Sequence, residues 1–291
     1  MSHTYKICVY VLVLLLSPCI LSANAWQFFM SNKTTFSHKN FTSLKNPYNG
    51  IDTFALGELL YWVDKEQLVG LFTELQVSNT SENPFYWDQY VQSAIGIKLI
   101  PSRVSKGNWT LRGLSFSAKA VWRKYYNQPE YSKPYTNDIQ VGASFFYSSL
   151  FHKDNKYALT FFTEGGYRRS NFSSSDYSGI VAVTDLKIGP KFTWGDSLVR
   201  FYSTTTCDLS SHKELYWENS LKTGLGVEWY PFAVPLLDKY GKLSIGLKKR
   251  FHLYTEVLKR TNWWGDKPTG SLPNTDFRIG VSFSTGGSYR Y

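Results

Sequence analysis

The chain has 291 residues, with 32 Lys and Arg against 22 Asp and Glu for a formal net charge of +10, an aromatic content of 18% and three cysteines. Cys8 and Cys19 lie in an apolar leader, so its removal leaves only Cys207 and excludes a disulfide framework within the chain. Beyond the leader no run approaches the roughly 18 consecutive apolar residues of a membrane-crossing helix, and the basic residues are spread over alternate positions instead of gathered in a patch, which sets nucleic acid aside as a partner.

The leader itself, MSHTYKICVYVLVLLLSPCILSANA, places one cation, Lys6, before an apolar core from Ile7 to Leu16 and the pattern Ala23-Asn24-Ala25 before Trp26. It reads as a secretory signal peptide over 1–25, cleaved after Ala25. Pro18 stands where lipoprotein processing wants a small residue, so Cys19 is not read as a lipid attachment site. Residues 26–50 read as a short N-terminal arm, and 51–291 as the main domain.

From residue 54 the chain alternates. Strands are expected at 54–63 and 67–78; then Val91, Ser93, Ile95, Ile97 and Leu99 oppose Gln92, Ala94, Gly96 and Lys98. The same two-faced pattern recurs at 114–123, 139–147, 157–168, 186–194, 221–229 and 243–251, and more weakly at 197–206. Turn-forming stretches separate these runs, among them 79–84, 127–137, 152–156, 170–179, 194–196 and 263–274. Long and short connections roughly alternate. Last comes FRIGVSFSTGGSYRY, where Phe277, Ile279, Val281, Phe283, Tyr289 and Tyr291 share one parity and Arg278 and Arg290 the other.

Ten clear runs, the weaker one and a closing strand near either terminus predict an all-β, antiparallel transmembrane β-barrel of 12 strands, with 10 as the alternative, since bacterial barrels have even numbers. A tilted strand needs about 9 to 11 residues to cross a bilayer. Aromatic rings at strand ends fit interfacial girdles. Phe283, Tyr289 and Tyr291 fit the terminal signal by which the barrel-assembly machinery selects its clients, and the expected location is the outer membrane, with its lipids around the barrel. The competing reading is a soluble β-sandwich, which the Asn-x-Ser/Thr triplets at Asn32, Asn40, Asn79, Asn108 and Asn171 would suit as a secreted glycoprotein.

If the apolar parity faces lipid, the other lines a lumen. It contains Lys98, Lys119, Arg168, Lys187, Lys191, Lys222, Lys248, Arg250 and Arg278, against Glu164, Asp185, Glu228 and further Glu58 and Glu74. The expected lumen is net basic and would favour anions, an anionic polysaccharide among them. The alternative is a closed barrel whose cations pair with these carboxylates. No catalytic residue, cofactor or metal site is assigned. Ser210-Ser211-His212 is the nearest approach to a nucleophile beside a base, and it lacks the sequence context of a lipid-hydrolysing barrel enzyme.

YALTFFTEGGYRR (157–169), LKIGPKFTW (186–194), SLKTGLGVEWYPF (220–232) and YGKLSIGLKKRFHL (240–253) resemble, in this order, the C-terminal region of the bacteriophage adsorption protein A family. That family has an E-G-x-Y strand, a Gly-containing strand ending in an aromatic, a G-x-G-V strand ending in an aromatic and Phe, and a basic K/R-F strand. The resemblance implies an outer-membrane barrel associated with surface polysaccharide export or biogenesis and used by phage as a receptor. The family's larger members carry a helical-repeat region before the barrel; nothing before Ile51 supplies one, so the resemblance implies a periplasmic scaffold protein as partner.

Overall fold

The computed structural model describes residues 25–41, 48–63, 67–81, 89–101, 113–125, 135–150, 155–171, 177–211, 219–231, 237–240, 243–246, 251–262 and 273–290. The leader expected over 1–25 lies outside them but for Ala25. No helix among the described residues is long and apolar enough to cross a membrane.

Fourteen strands form one sheet: β1 Ala25–Phe41, β2 Tyr48–Trp62, β3 Val69–Thr80, β4 Tyr90–Leu99, β5 Leu114–Tyr125, β6 Tyr135–Ser148, β7 Tyr157–Ser170, β8 Tyr177–Trp194, β9 Ser197–Ser210, β10 Ser220–Tyr230, β11 Leu237–Tyr240, β12 Leu243–Gly246, β13 His252–Asn262 and β14 Pro273–Arg290. β11 and β12 are a short hairpin attached to the end of β14. The other twelve run in antiparallel order around a closed circuit, from β1 through β10 to β13 and β14, and β14 returns to β1 from Ala25↔Arg290 to Phe41↔Pro273. Closure leaves no open edge in the circuit, the condition a strand protein must meet where no water can satisfy its backbone. The expected 12-strand antiparallel barrel is the fold.

Two elements differ from the sequence reading. Residues 26–50 are no free arm: β1 occupies their first part and is the closing strand, paired on both sides by β14 and β2. Its outward series Trp26, Phe28, Met30 and Phe36 is interrupted by Asn32 and Thr34, which hid the alternation. The stave expected at 243–251 is instead β13, eleven residues long at 252–262. Its inward face carries Tyr254 and Leu258 and its outward face Thr255 and Lys259, so polarity alternates weakly there. Leu243–Gly246 joins the lower end of β14, where Leu243 faces Tyr289.

The end of the barrel that bears Ala25 is tightened by apolar packing. Ala25, Leu60, Trp62 and Phe72 form one buried cluster, and Leu150, Ala158, Leu198 and Tyr230 another. This end also has the tightest connection, Gly195-Asp196 between Trp194 and Ser197. Gly195 takes φ +56° while Asp196 stays at negative φ, the geometry of a type II′ hairpin, whose twist matches the strands and which wants Gly first. The same end carries the two longest connections, 100–113 and 231–251, so long and short connections do not segregate as expected.

Candidate functional site

Strand parity sorts the wall into two chemistries. Outward stand Met30, Ile51, Leu75, Ile97, Trp122, Ile139, Ile180, Leu225, Val257 and Ile279, all exposed. Leu225, near the middle of β10, is 70% exposed. Aromatic side chains gather on the outer wall towards the Ala25 end: Trp26 packs edge-on against Tyr61 at 5.0 Å, Phe192 against Phe201 at 6.1 Å, and Tyr157, Trp229 and Trp194, the last 90% exposed, face outward. Trp122 and Tyr167 lie nearer the opposite rim. An apolar belt bordered by rings is the exterior of a membrane-spanning barrel. Phe283 belongs to this belt and Tyr289 to the ladder opposite Trp26; Tyr291 lies outside the described residues.

Inward the wall is polar. Seven of the nine cations expected in the lumen are described and all point there. Lys98 reaches Glu58 at 2.5 Å, Lys119 reaches Glu74 at 3.3 Å, Arg168 reaches Asp138 at 2.6 Å, Lys222 reaches Asp208 at 2.8 Å and Arg278 reaches Asp276 at 2.5 Å. Lys187 lies between Glu228 at 3.1 Å and Glu256 at 2.9 Å. Lys191 donates to the carbonyls of Ser149 and Leu150 at 3.3 and 2.8 Å, within the apolar constriction at the Ala25 end. Lys248 and Arg250 lie outside the described residues, as does His212.

Four further cations share this face, of which the alternation at 114–123 places Arg123 on the polar parity. Arg200, 1% exposed, pairs with Glu228 at 2.8 Å; Arg123 donates to Gln92 and lies over the Tyr90 ring at 4.5 Å; Lys33 lies over the Tyr254 ring at 4.8 Å; and Arg260 lines the lumen beside Lys222. These four and the seven above make eleven lumen cations with described side chains; Lys39, in register with Asp276, and Arg290, in register with Ala25, hold further positions of the same parity. Ten carboxylates oppose them: Asp52, Glu58, Glu74, Asp138, Glu164, Asp185, Asp208, Glu228, Glu256 and Asp276. Among the described side chains the cations and carboxylates of the lumen are therefore nearly equal in number. These carboxylates were hidden because Glu256 lies on the stave that alternates weakly, while Asp138 and Asp208 sit just beyond the runs read at 139–147 and 197–206.

The densest part of the network joins β8, β9, β10 and β13. Glu228 accepts from Lys187 and Tyr230, and Glu256 accepts from Lys187 and Tyr202. Tyr254 continues the chain to Thr35 on β1. Such pairs bind staves up to three apart around the circuit, fixing the inner wall as a hydrogen-bonded lattice. A cavity of about 420 Å³ opens between β5 and β13, lined by Ser117, Lys119, Gln140, Glu164, Arg168 and Lys222 among others. Among the described residues no group of three His, Cys, Asp or Glu is placed to hold a metal ion.

No family model matches the chain, and no curated protein does. Among solved structures it is similar to the translocator domain of the autotransporter NalP from Neisseria meningitidis, at 10% identity and a TM-score of 0.37, covering 99% of this chain and 96% of that one. It is similar also to the β domain of the Bordetella autotransporter BrkA, at 12% identity and 0.36, covering 92% and 99%. A bacterial polysaccharide outer membrane secretin is similar at 8% identity and 0.38, covering 93% and 99%.

Proposed function

We propose that this chain is an outer-membrane barrel that serves as a conduit or accessory component in the export of a surface polysaccharide, with an uncharged glycan as the cargo its lumen suits. The observation that carries the reading is the pairing of an apolar outer belt with a polar, ion-paired inner wall. Cations that already meet carboxylates exert a weakened field on passing ions, while the carboxylates, amides and hydroxyls of the wall supply both donors and acceptors to a polyhydroxylated chain. The resemblance over Tyr157–Leu253 points to the same class of cargo, to a periplasmic scaffold protein as partner and to use by phage as a receptor.

Single-channel recording in planar bilayers tests the conduit. The expected result is a conductance with little preference between cations and anions, moved towards cations by Lys119→Glu, which exchanges a paired cation for a second carboxylate beside Glu74. A strongly anion-selective pore would contradict the ion-paired lumen, and a selectivity unmoved by Lys119→Glu would remove that side chain from the path. A second reading, a closed recognition barrel without transport, is favoured by the two apolar clusters at the Ala25 end. It predicts no conductance together with loss of phage adsorption when residues 262–274 are deleted.

A further inference from the structure

The register of β5, β6 and β7 sets three short rows across the lumen wall. Lys119, Gln140 and Arg168 stand opposite one another in the first, Ser117, Gly142 and Gly166 in the second, and Ser115, Ser144 and Glu164 in the third. The middle row thus has almost no side chains between two rows of polar ones. It is a trough, and its floor cannot be raised: a Cβ on Gly166 would lie 2.3 Å from the Val141 carbonyl oxygen and 2.5 Å from Gly142 Cα, and one on Gly142 would lie 2.7 Å from the Gly165 carbonyl oxygen. Along β7 the two rims, Glu164 and Arg168, are four residues apart, or about 13 Å at the rise of an extended strand. The trough opens into the 420 Å³ cavity, a width and volume that admit a six-membered sugar ring with room for its neighbour.

The rims decide what such a trough would take. Lys119, Arg168 and Lys222 are already bound to Glu74, Asp138 and Asp208. Glu164, by contrast, is exposed to the cavity and has no hydrogen-bond or ion-pair partner among the described residues. It is an acceptor-only group with several open lone-pair directions. The uncommitted chemistry of the site is therefore acceptance, which selects a ligand rich in donors. An anionic chain would meet Glu164 with its neighbouring cations already neutralised.

We propose that this trough is a saccharide subsite, holding one uncharged pyranose unit over Gly142 and Gly166 with Glu164 accepting hydrogen bonds from two adjacent ring hydroxyls. The proposal rests on the glycan reading above and adds the site and the recognised group. Two hydroxyls donating to one carboxylate are charge-assisted bonds, stronger than bonds between neutral groups.

Calorimetry on the folded full-length barrel in detergent tests it with maltohexaose as the probe. Two comparison sugars isolate the claim: maltohexaose oxidised with periodate and reduced, which stays neutral and similar in length but loses the adjacent ring hydroxyls, and hexagalacturonate, which adds carboxylates. Maltohexaose is expected to bind, and both comparison sugars to bind at least about tenfold more weakly, the oxidised and reduced sugar through loss of one charge-assisted hydrogen bond or more and hexagalacturonate through repulsion between its carboxylates and Glu164. Glu164→Ala should weaken maltohexaose by a similar factor and Glu164→Gln by less, each variant first shown to retain the heat-dependent gel shift of a folded barrel. Equal affinity for all three sugars, no binding of any, or unchanged binding in a folded Glu164→Ala barrel would each overturn the proposal. A barrel that conducts but binds no sugar loses the subsite and keeps the conduit; one that binds maltohexaose through Glu164 but does not conduct keeps the subsite and loses the conduit.

Discussion

Glu228→Ala is expected to destabilise the folded barrel by about 3 to 5 kcal/mol, the range for removing one partner of a buried ion pair. Glu228 is 3% exposed and meets Arg200 at 2.8 Å, Lys187 at 3.1 Å and the Tyr230 hydroxyl at 3.0 Å. Lys187 would retain Glu256. Arg200 would not fare so well: it is 1% exposed, and its other side-chain bond is to the Thr160 hydroxyl at 2.9 Å, a neutral group that cannot balance its charge. The cost is therefore chiefly that of an uncompensated guanidinium in the wall. Replacing both residues by Met should recover most of the loss, because the desolvation that the pair must overcome disappears with it. The temperature at which the folded form disappears on an unboiled gel measures both variants. A Glu228→Ala barrel as heat-resistant as the parent would show that Arg200 is solvated in the lumen and that the network does not hold the staves.

Leu225→Arg separates a membrane wall from a soluble one. Leu225 is 70% exposed on the outward parity of β10, flanked across the ladder by Ser203 and Val257. On a soluble protein an exposed substitution away from any packed feature changes stability by roughly 0.5 kcal/mol or less. At the midplane of a bilayer an arginine on the outer wall of a barrel costs about 2 to 4 kcal/mol. Reversible folding into lipid vesicles should show the larger figure, with Leu225→Ala much milder. Parental stability of Leu225→Arg in vesicles would mean that this face does not meet hydrocarbon.

Much of the barrel could be read from alternation because one face must satisfy lipid and the other water. Val91 to Leu99 is such a stretch: Ile95 and Ile97 emerge outward, and Lys98 inward on Glu58. Legibility failed where the inner wall is not simply polar. Tyr254 and Leu258 face inward on β13 and are buried, and because of them the stave could not be told from the neighbouring run at 243–251. On β1 the outward Asn32 and Thr34 bond to each other at 3.4 Å, which reduces their exposure as unsatisfied groups but removes the apolar signal.

For the site, sequence parity identified which cations face inward but not whom they meet. Lys98 and Glu58 lie on β4 and β2, two staves apart, and Lys187 and Glu256 lie on β8 and β13, three apart around the circuit. Pairings of that kind depend on closure and register, which no local pattern encodes. The trough at Gly142 and Gly166 has the same origin: each glycine is legible, but their position opposite one another comes from the ladder between β6 and β7.

The most direct test of the membrane barrel is the gel mobility of the protein recovered from a washed outer-membrane fraction, compared unheated and boiled. The account predicts that the protein stays with that fraction and that the unheated sample runs at a different apparent mass, because a closed hydrogen-bonded barrel resists the detergent until heated. Recovery in a soluble fraction with identical mobility before and after boiling would contradict it.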